Sequence, residues 1–200
     1  MSRLTSPSKD EIAGLEPLAR LGLDNIVVVS NRQDAERALK ALETHSVLGF
    51  DTESKPTFVR DEVSAGPHVV QFSTLQTAYI FQMHDAGCRE AASALLVSVR
   101  IAKVGFGLAS DHVQIMRTLG VKPQNVLDLN EIFRAKGYIK ELGVRGAVAV
   151  LFNRRFLKSK KATTSNWSNQ QLTESQIIYS ANDAWAAIKV FDALDLQQTR

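Results

Sequence analysis

Strand-like and helix-like segments alternate over the first two thirds of this chain, and this alternation limits the fold more than any other feature. Apolar runs bounded by turn residues predict strands, and apolar residues at helical spacing predict the helices between them. The predicted strands are residues 25–30, 46–53, 68–74, 77–83, 101–107 and 125–130, and the predicted helices are 31–43, 89–99 and 110–120. Only helices and loops are expected beyond residue 128. This order predicts the α/β class, with a mixed sheet flanked by helices.

Local signals fix some of the boundaries. Ser30 or Asn31 is available to cap the helix at 31–43, and Gly120 is expected to end the helix at 110–120. Only two residues separate the strands at 68–74 and 77–83, so these strands are expected to be antiparallel neighbours.

The composition predicts one soluble domain, because 200 residues with 44% hydrophobic side chains can bury one core. We expect residues 23–200 to form this domain and residues 1–22 to be an N-terminal extension. No apolar run approaches the roughly 18 residues of a membrane span, and no signal peptide is recognisable. Cys88 is the only cysteine, which fits a reducing compartment. A cytoplasmic protein is therefore expected, or a nuclear one in a eukaryote, with no membrane partner.

Positive charge is concentrated in one stretch of the chain. Residues 134–161 contain nine lysines and arginines and a single acid, Glu141, whereas the net charge of the whole chain is only +3. The remainder is therefore acidic. Such an arrangement is typical of a protein that holds a polyanion on one side and a cation on the other, and it also occurs on ordinary solvated surfaces.

Two acids share one face of an apolar strand. Asp51 and Glu53 are two residues apart in "GFDTES", so their side chains emerge together while Thr52 points the other way. Neighbouring carboxylates oppose each other's ionisation unless a positive charge joins them. Mg²⁺ or Mn²⁺ would supply that charge, although acids at a strand end also occur without a metal.

Asp111 lies where a strand ends and a helix begins. Gly105 and Gly107 allow the backbone to turn tightly and to approach a ligand closely. Asp111, in the first turn of the helix, can either bind a ligand or stabilise the positive end of the helix dipole. The segment "GFGLAS" lacks the third glycine of a dinucleotide-binding fingerprint, because Ser110 takes that place.

Tyr179 and Asp183 complete the set of polar candidates. They are four residues apart in the helix-like run "YSANDAWAA", so the phenol and the carboxylate lie on the same helical face. Either a half-buried pair of packing residues or part of a binding site fits this spacing.

In this order, the four acids and the tyrosine resemble the DEDD superfamily of 3′-5′ exonucleases, in the subclass whose third motif is Tyr-x-x-x-Asp. The segments "VLGFDTES", "KVGFGLASD" and "TTSNWSNQQLTESQIIYSANDAWAAIKVFDAL" are similar to the exonuclease domain of Werner-syndrome-type proteins and, more distantly, to ribonuclease D. The resemblance covers residues 26–195.

The resemblance implies a ribonuclease H-like exonuclease fold with a mixed sheet of five or six strands. It implies that Asp51, Glu53, Asp111 and Asp183 hold two divalent cations, Mg²⁺ or Mn²⁺, and that Tyr179 orients or helps to deprotonate the attacking water. The substrate would be DNA or RNA with a free 3′ end, and the products would be nucleoside 5′-monophosphates.

Contacts to the nucleic acid are also implied. Relatives of the Werner type commonly have an aromatic residue directly after the motif glutamate, where this chain has Ser54, so Phe106 or Leu108 is expected to contact the terminal nucleotide instead. Phosphate contacts are expected from the basic residues upstream of the third motif, which are Arg154, Arg155, Lys158, Lys160 and Lys161.

Two alternatives stay open at this level. A noncatalytic nucleic-acid-binding module would retain the fold without turnover, although none of the expected acids is missing. An oligoribonuclease-like enzyme would use the same chemistry on very short RNA only.

Overall fold

The computed structural model describes residues 4–57 and 62–194. Within these residues six strands form one sheet in the order β1-β4-β3-β2-β5-β6. The strands are β1 (Ile26–Val29), β2 (Val47–Glu53), β3 (Val69–Ser73), β4 (Ala78–Gln82), β5 (Ala102–Gly105) and β6 (Val126–Asp128). β3 runs antiparallel to both of its neighbours, and the other pairs are parallel. The predicted mixed α/β sheet is confirmed.

Eight α-helices belong to the described residues. They are α1 (Lys9–Ala13), α2 (Arg32–Leu42), α3 (Ala86–Val97), α4 (Ala109–Leu119), α5 (Leu129–Ala135), α6 (Gly143–Phe152), α7 (Lys160–Thr163) and α8 (Glu174–Ala193). Beyond β6 the described residues contain helices and loops, as the sequence predicted. None of these helices has both the length and the apolar character that a membrane span requires.

Capping residues explain where several helices begin and end. The side chain of Asn31 accepts a hydrogen bond from the backbone N–H of Asp34, and Gly120 ends α4 with a left-handed φ of 67°. The helix predicted at 89–99 begins earlier, at Ala86, because the side chain of Asp85 caps it by accepting from the backbone N–H of Cys88.

Different helices cover the two faces of the sheet. Leu48 and Phe50 of β2 point into a core that α2 and α3 complete on one face. The alternate residues of β2 point to the opposite face, which α8 covers. Asp51 and Glu53 are on this second face, so both acids lie on the side of the sheet that α8, the longest helix of the described residues, covers.

A close contact between α8 and β2 is made at Gly49. A Cβ atom at this glycine would lie 2.0 Å from the backbone oxygen of Ala184 and 3.1 Å from Cβ of Ile188. Only a glycine leaves room for the helix backbone here. Because Asp183 immediately precedes Ala184, the contact brings a third acid to the end of β2.

The N-terminal segment packs along the body of the protein. Backbone hydrogen bonds join Leu18 to the carbonyl of Arg155 at 2.9 Å and Arg155 to the carbonyl of Glu16 at 2.8 Å. The backbone N–H of Leu21 donates to the side chain of Asn182 on α8 at 2.9 Å. The domain boundary at residue 22 stays a prediction.

Replacing Gly49 tests the contact between α8 and β2. Gly49→Ala should lower the free energy of unfolding by about 1–3 kcal/mol or more, because the added methyl group forces α8 away from β2. Urea unfolding of the two proteins measures the difference. Gly22→Ala is the matched control, since a Cβ at Gly22 meets nothing within 4 Å. Equal stability of Gly49→Ala and wild type would show that α8 does not pack against β2 in this way.

Candidate metal centre

Three carboxylates meet at the end of β2. Asp51 and Glu53 come from the strand and Asp183 from α8, and one oxygen of each lies within 4.8 Å of the others. The alternation of the strand places the first two on one face, and the contact at Gly49 brings the third to them. Three of the four acids that the sequence singled out are therefore brought together.

Burial makes this cluster electrostatically unfavourable without a cation. Burial and the neighbouring Asp183 and Asp111 hold the pKa of Asp51 well above its usual range. Burial and the charges of Asp51 and Asp183 raise the pKa of Glu53 to about 10. Asp183 is only 5% exposed, and its burial raises its pKa as well. The three groups can ionise together only if positive charge compensates them.

Lys158 supplies part of that charge. Its Nζ lies 2.9 Å from Oδ2 of Asp183, and its side chain is 27% exposed. Burial opposes the charge of Lys158, but Asp183, Tyr179 and Asp51 together raise the pKa of its ammonium group above the usual range. In the described part of the chain, no other lysine or arginine forms a salt bridge with the three acids. Three carboxylates and one ammonium group leave two negative charges.

The residues fit a divalent cation. Oδ1 of Asp183 has no hydrogen-bond partner among the described residues, while Oδ2 is paired with Lys158, so the carboxylate offers one free oxygen as a ligand. An all-carboxylate donor set suits Mg²⁺ or Mn²⁺, which prefer oxygen ligands. One such ion would neutralise the remaining charge.

Asp111 lies beside the cluster, turned toward Thr52. The Thr52 hydroxyl, on the opposite face of β2 from the three acids, donates a hydrogen bond to Oδ1 of Asp111. Burial raises the pKa of Asp111, and the hydrogen bond from Thr52 acts in the opposite direction. Because the charge of Asp111 raises the pKa values of Asp51 and Glu53, the fourth acid borders the same centre.

Tyr179 is a buried, neutral phenol one helical turn before Asp183. Its hydroxyl accepts a hydrogen bond from the Thr163 hydroxyl at 3.1 Å. Burial, followed by the charge of Asp183, raises the pKa of Tyr179 to about 12. The ring lies 5.4 Å from Nζ of Lys158 and 6.0 Å from the centre of the Trp167 ring. At neutral pH the phenol can therefore donate a hydrogen bond.

The residues predicted to contact the terminal nucleotide differ in exposure. Leu108 is only 2% exposed and packs in the core near Gly105, so its contact with a nucleotide stays a prediction. The Leu108 side chain, just before α4, fills the space that the missing side chain of Gly105 leaves. Phe106 is half-buried and packs against the hydrophobic core on the face of the sheet that α8 covers.

The predicted phosphate-binding residues also occupy different surroundings. Lys160 and Lys161 are exposed on α7, and Arg154 is exposed in the loop before it. Arg155 is half-buried, and its Nη1 donates to the carbonyl of Ala13 at 2.8 Å. This guanidinium group holds the N-terminal segment, while Lys158 holds Asp183.

Sequence reasoning missed several contacts at this centre. It read Lys158 only as one member of a basic run, and it gave Thr52 and Arg145 no role, although Arg145 also acts to lower the pKa of Asp183. Gln71 was missed as well: it lies opposite Asp51 in the β2–β3 register, is fully buried, and has no hydrogen-bond partner for its amide among the described residues. An isolated polar residue in the apolar strand "VVQFS" was the one available signal.

Known proteins are similar to this chain in sequence and in fold. The 3′-5′ exonuclease family profile matches residues 26–198. The mouse bifunctional 3′-5′ exonuclease/ATP-dependent helicase WRN is 28% identical over 76% of this chain, and an Arabidopsis thaliana 3′-5′ exonuclease is 26% identical over 80%. The matched part is 11% and 58% of those two proteins. A Trypanosoma brucei RNase D, solved in complex with RNA U12, is 18% identical and has a TM-score of 0.75, over 95% of this chain and 66% of that one. This likeness shows the fold.

The metal centre can be tested by its effect on stability. Mn²⁺ should stabilise the wild-type protein, by about 2.7 kcal/mol at a hundred times its Kd, because it binds the folded state. Asp51→Asn should lose this gain. Folding raises the pKa of Asp51. The free energy of unfolding therefore falls as the pH rises above the pKa that Asp51 has in the unfolded chain, because ionisation is less favourable in the folded protein. In EDTA at neutral pH, the variant should therefore be at least as stable as wild type.

Thermal unfolding with EDTA or excess Mn²⁺ provides the measurement. Asp24→Asn is the control, because Asp24 is an exposed acid near the start of β1 and the change removes the same charge. An equal gain from Mn²⁺ in wild type and Asp51→Asn would place the ion elsewhere.

Proposed function

The chain belongs to the 3′-5′ exonuclease family, and on that basis we propose that it hydrolyses the last phosphodiester bond at the 3′ end of DNA or RNA. The observation that carries the proposal is the convergence of Asp51, Glu53 and Asp183, with Tyr179 one turn from Asp183. The products would be a nucleoside 5′-monophosphate and a strand that is shorter by one nucleotide and ends in a 3′-hydroxyl.

Two divalent cations, Mg²⁺ or Mn²⁺, are the proposed cofactors. Asp51, Glu53 and Asp183 would hold one of them, and Asp111 would supply the additional carboxylate needed for the second. When bound, such ions stabilise the negative charge that develops on the phosphoryl oxygens and make water a stronger acid.

The protein side chains would orient the reactants. The Tyr179 phenol, held by Thr163, would bind the attacking water by a hydrogen bond and fix its direction toward phosphorus. Its raised pKa keeps the proton on the phenol, so Tyr179 acts by positioning. Lys158 would place a positive charge beside the same phosphate, because it reaches both Asp183 and the ring of Tyr179.

The proposed hydrolysis forms one bond to phosphorus and breaks another. Oxygen of the water bonds to the terminal phosphorus, and the bond from phosphorus to the 3′ oxygen of the preceding nucleotide breaks. The leaving 3′ oxygen takes up a proton, and the proton released by the water is transferred to solvent. Neither DNA nor RNA is favoured by these steps, which involve no 2′-hydroxyl group.

A substrate panel tests the proposal. Single-stranded DNA, single-stranded RNA, recessed and blunt duplexes and a dinucleotide, each labelled at the 5′ end, would be incubated with Mg²⁺, Mn²⁺ or EDTA. A ladder of products shortened one nucleotide at a time is expected with metal and not with EDTA, and Asp51→Ala should form no ladder. Binding of the strands without any hydrolysis would instead indicate a noncatalytic module, and cleavage of the dinucleotide alone would indicate an enzyme for very short RNA.

Tyr179→Phe is the matched variant in the same assay. It removes one hydroxyl from a buried ring, so we expect a fall in kcat on the order of 10²-fold. The gain in stability from Mn²⁺ should be retained, because the phenol is not among the proposed ligands. An unchanged kcat would remove Tyr179 from the mechanism.

A further inference from the structure

Two adjoining grooves leave the candidate metal centre along the same side of the protein. The proximal groove, with a volume of about 590 Å³, is lined by Tyr179, Thr163 and Lys160 and by the start of α6. The distal groove, with a volume of about 640 Å³, lies between α1 and the loop at 155–158. Both grooves are lined by Leu142, Arg145 and Lys158, so the two form one path. It begins at Tyr179 and at Lys158, which pairs with Asp183, and it ends at the N-terminal segment.

Charge is segregated along this path. Five basic residues line the two grooves, and no acid does so among the described residues: Lys9, Arg145, Arg155, Lys158 and Lys160. Two other cavities that described residues line are mixed or acidic. The cavity beneath Leu18 contains Arg20 together with Glu174, and a small cavity near β2 contains Asp192.

Several of these cations have no acidic partner in residues 4–57 and 62–194. Lys9, Arg145 and Lys160 are exposed and form no salt bridge there, whereas basic residues elsewhere on the surface, such as Arg32 and Arg134, are paired with glutamates. Their charge is therefore available to a ligand. Arg155 has a structural role. Its hydrogen bond to the Ala13 carbonyl joins α1 to the loop at 155–158, which forms the opposite wall of the distal groove.

We propose that the phosphates upstream of the scissile bond follow this path, past Arg145 to Lys9, so that residues 6–13 are part of the nucleic-acid interface. The inference rests on the proposed function, and it identifies the surface that would hold a long strand. The three unpaired cations Lys160, Arg145 and Lys9, in grooves without acids, match the regular negative charge of a phosphate backbone. Contacts of this kind carry no information about base sequence.

Substrate length separates this surface from the metal centre. A dinucleotide with a free 5′-hydroxyl contains only the scissile phosphate, so it has nothing that Lys9 could contact. A strand of about 20 nucleotides has phosphates along both grooves, since single-strand sites on proteins typically cover about 4–16 nucleotides. Removing a distal cation should therefore lower kcat/KM for the long strand relative to that for the dinucleotide.

Lys9→Glu is the first test variant. The residue is exposed in the first turn of α1, where an acid is favourable, so the fold should tolerate the change. We expect the ratio of kcat/KM for the long strand to that for the dinucleotide to fall about threefold or more. The affinity for the labelled long strand, measured in EDTA at several salt concentrations, should lose about 0.7 from its logarithmic salt slope for each phosphate contact removed. Arg145→Glu should produce a larger change, because Arg145 lines both grooves.

Arg100→Glu is the matched control. Arg100 is exposed and comes just before β5, at the opposite end of the sheet from Asp51 and Glu53. The ratio and the salt slope should both keep their wild-type values in this variant. Equal effects of Lys9→Glu and Arg100→Glu, or no change in either quantity for Lys9→Glu, would overturn the proposed path. If wild type cleaves neither substrate, the proposed function fails, while the salt slopes still test the path.

Discussion

The contact between α8 and β2 at Gly49 is the constraint on which the rest of the structure depends. Without a side chain at this residue, the helix backbone can lie directly on the strand, and Asp183 reaches Asp51 and Glu53. Three carboxylates, that of Asp183 buried and the other two half-buried, then repel one another. Burial together with this repulsion raises the pKa values of Asp51 and Glu53, and burial raises that of Asp183. The close packing of the helix thus supports an arrangement that would otherwise be unfavourable, and a cation would relieve it.

Different neighbouring side chains hold the individual acids of the cluster in place. Lys158 supplies one positive charge to Asp183, and Thr52 holds Asp111 at the border of the centre through the opposite face of the strand. The loop that carries Lys158 is itself joined to the N-terminal segment through the backbone of Arg155. Residues far apart in the chain therefore fix the position of a single ammonium group, and the same segment forms one wall of the basic grooves.

Much of this architecture could be predicted from local sequence. The six strands follow from apolar runs, and the acids of β2 share a face because side chains alternate along a strand. The pairing of Lys158 with Asp183 and the burial of Leu108 could not be predicted in this way, because both depend on elements that meet only after folding. Asp111 shows the same limit: its place at the start of a helix was predictable, but its bond to Thr52 required the two faces of β2 to be known.

The central claim is that Asp51, Glu53 and Asp183 form one cation site, and anomalous diffraction from crystals soaked in Mn²⁺ tests it most directly. The account predicts a manganese peak within bonding distance of carboxylate oxygens from all three residues, and its disappearance in Asp51→Asn crystals. A manganese peak bound only by other side chains, or carboxylates of Asp51, Glu53 and Asp183 that point away from one another, would contradict the account.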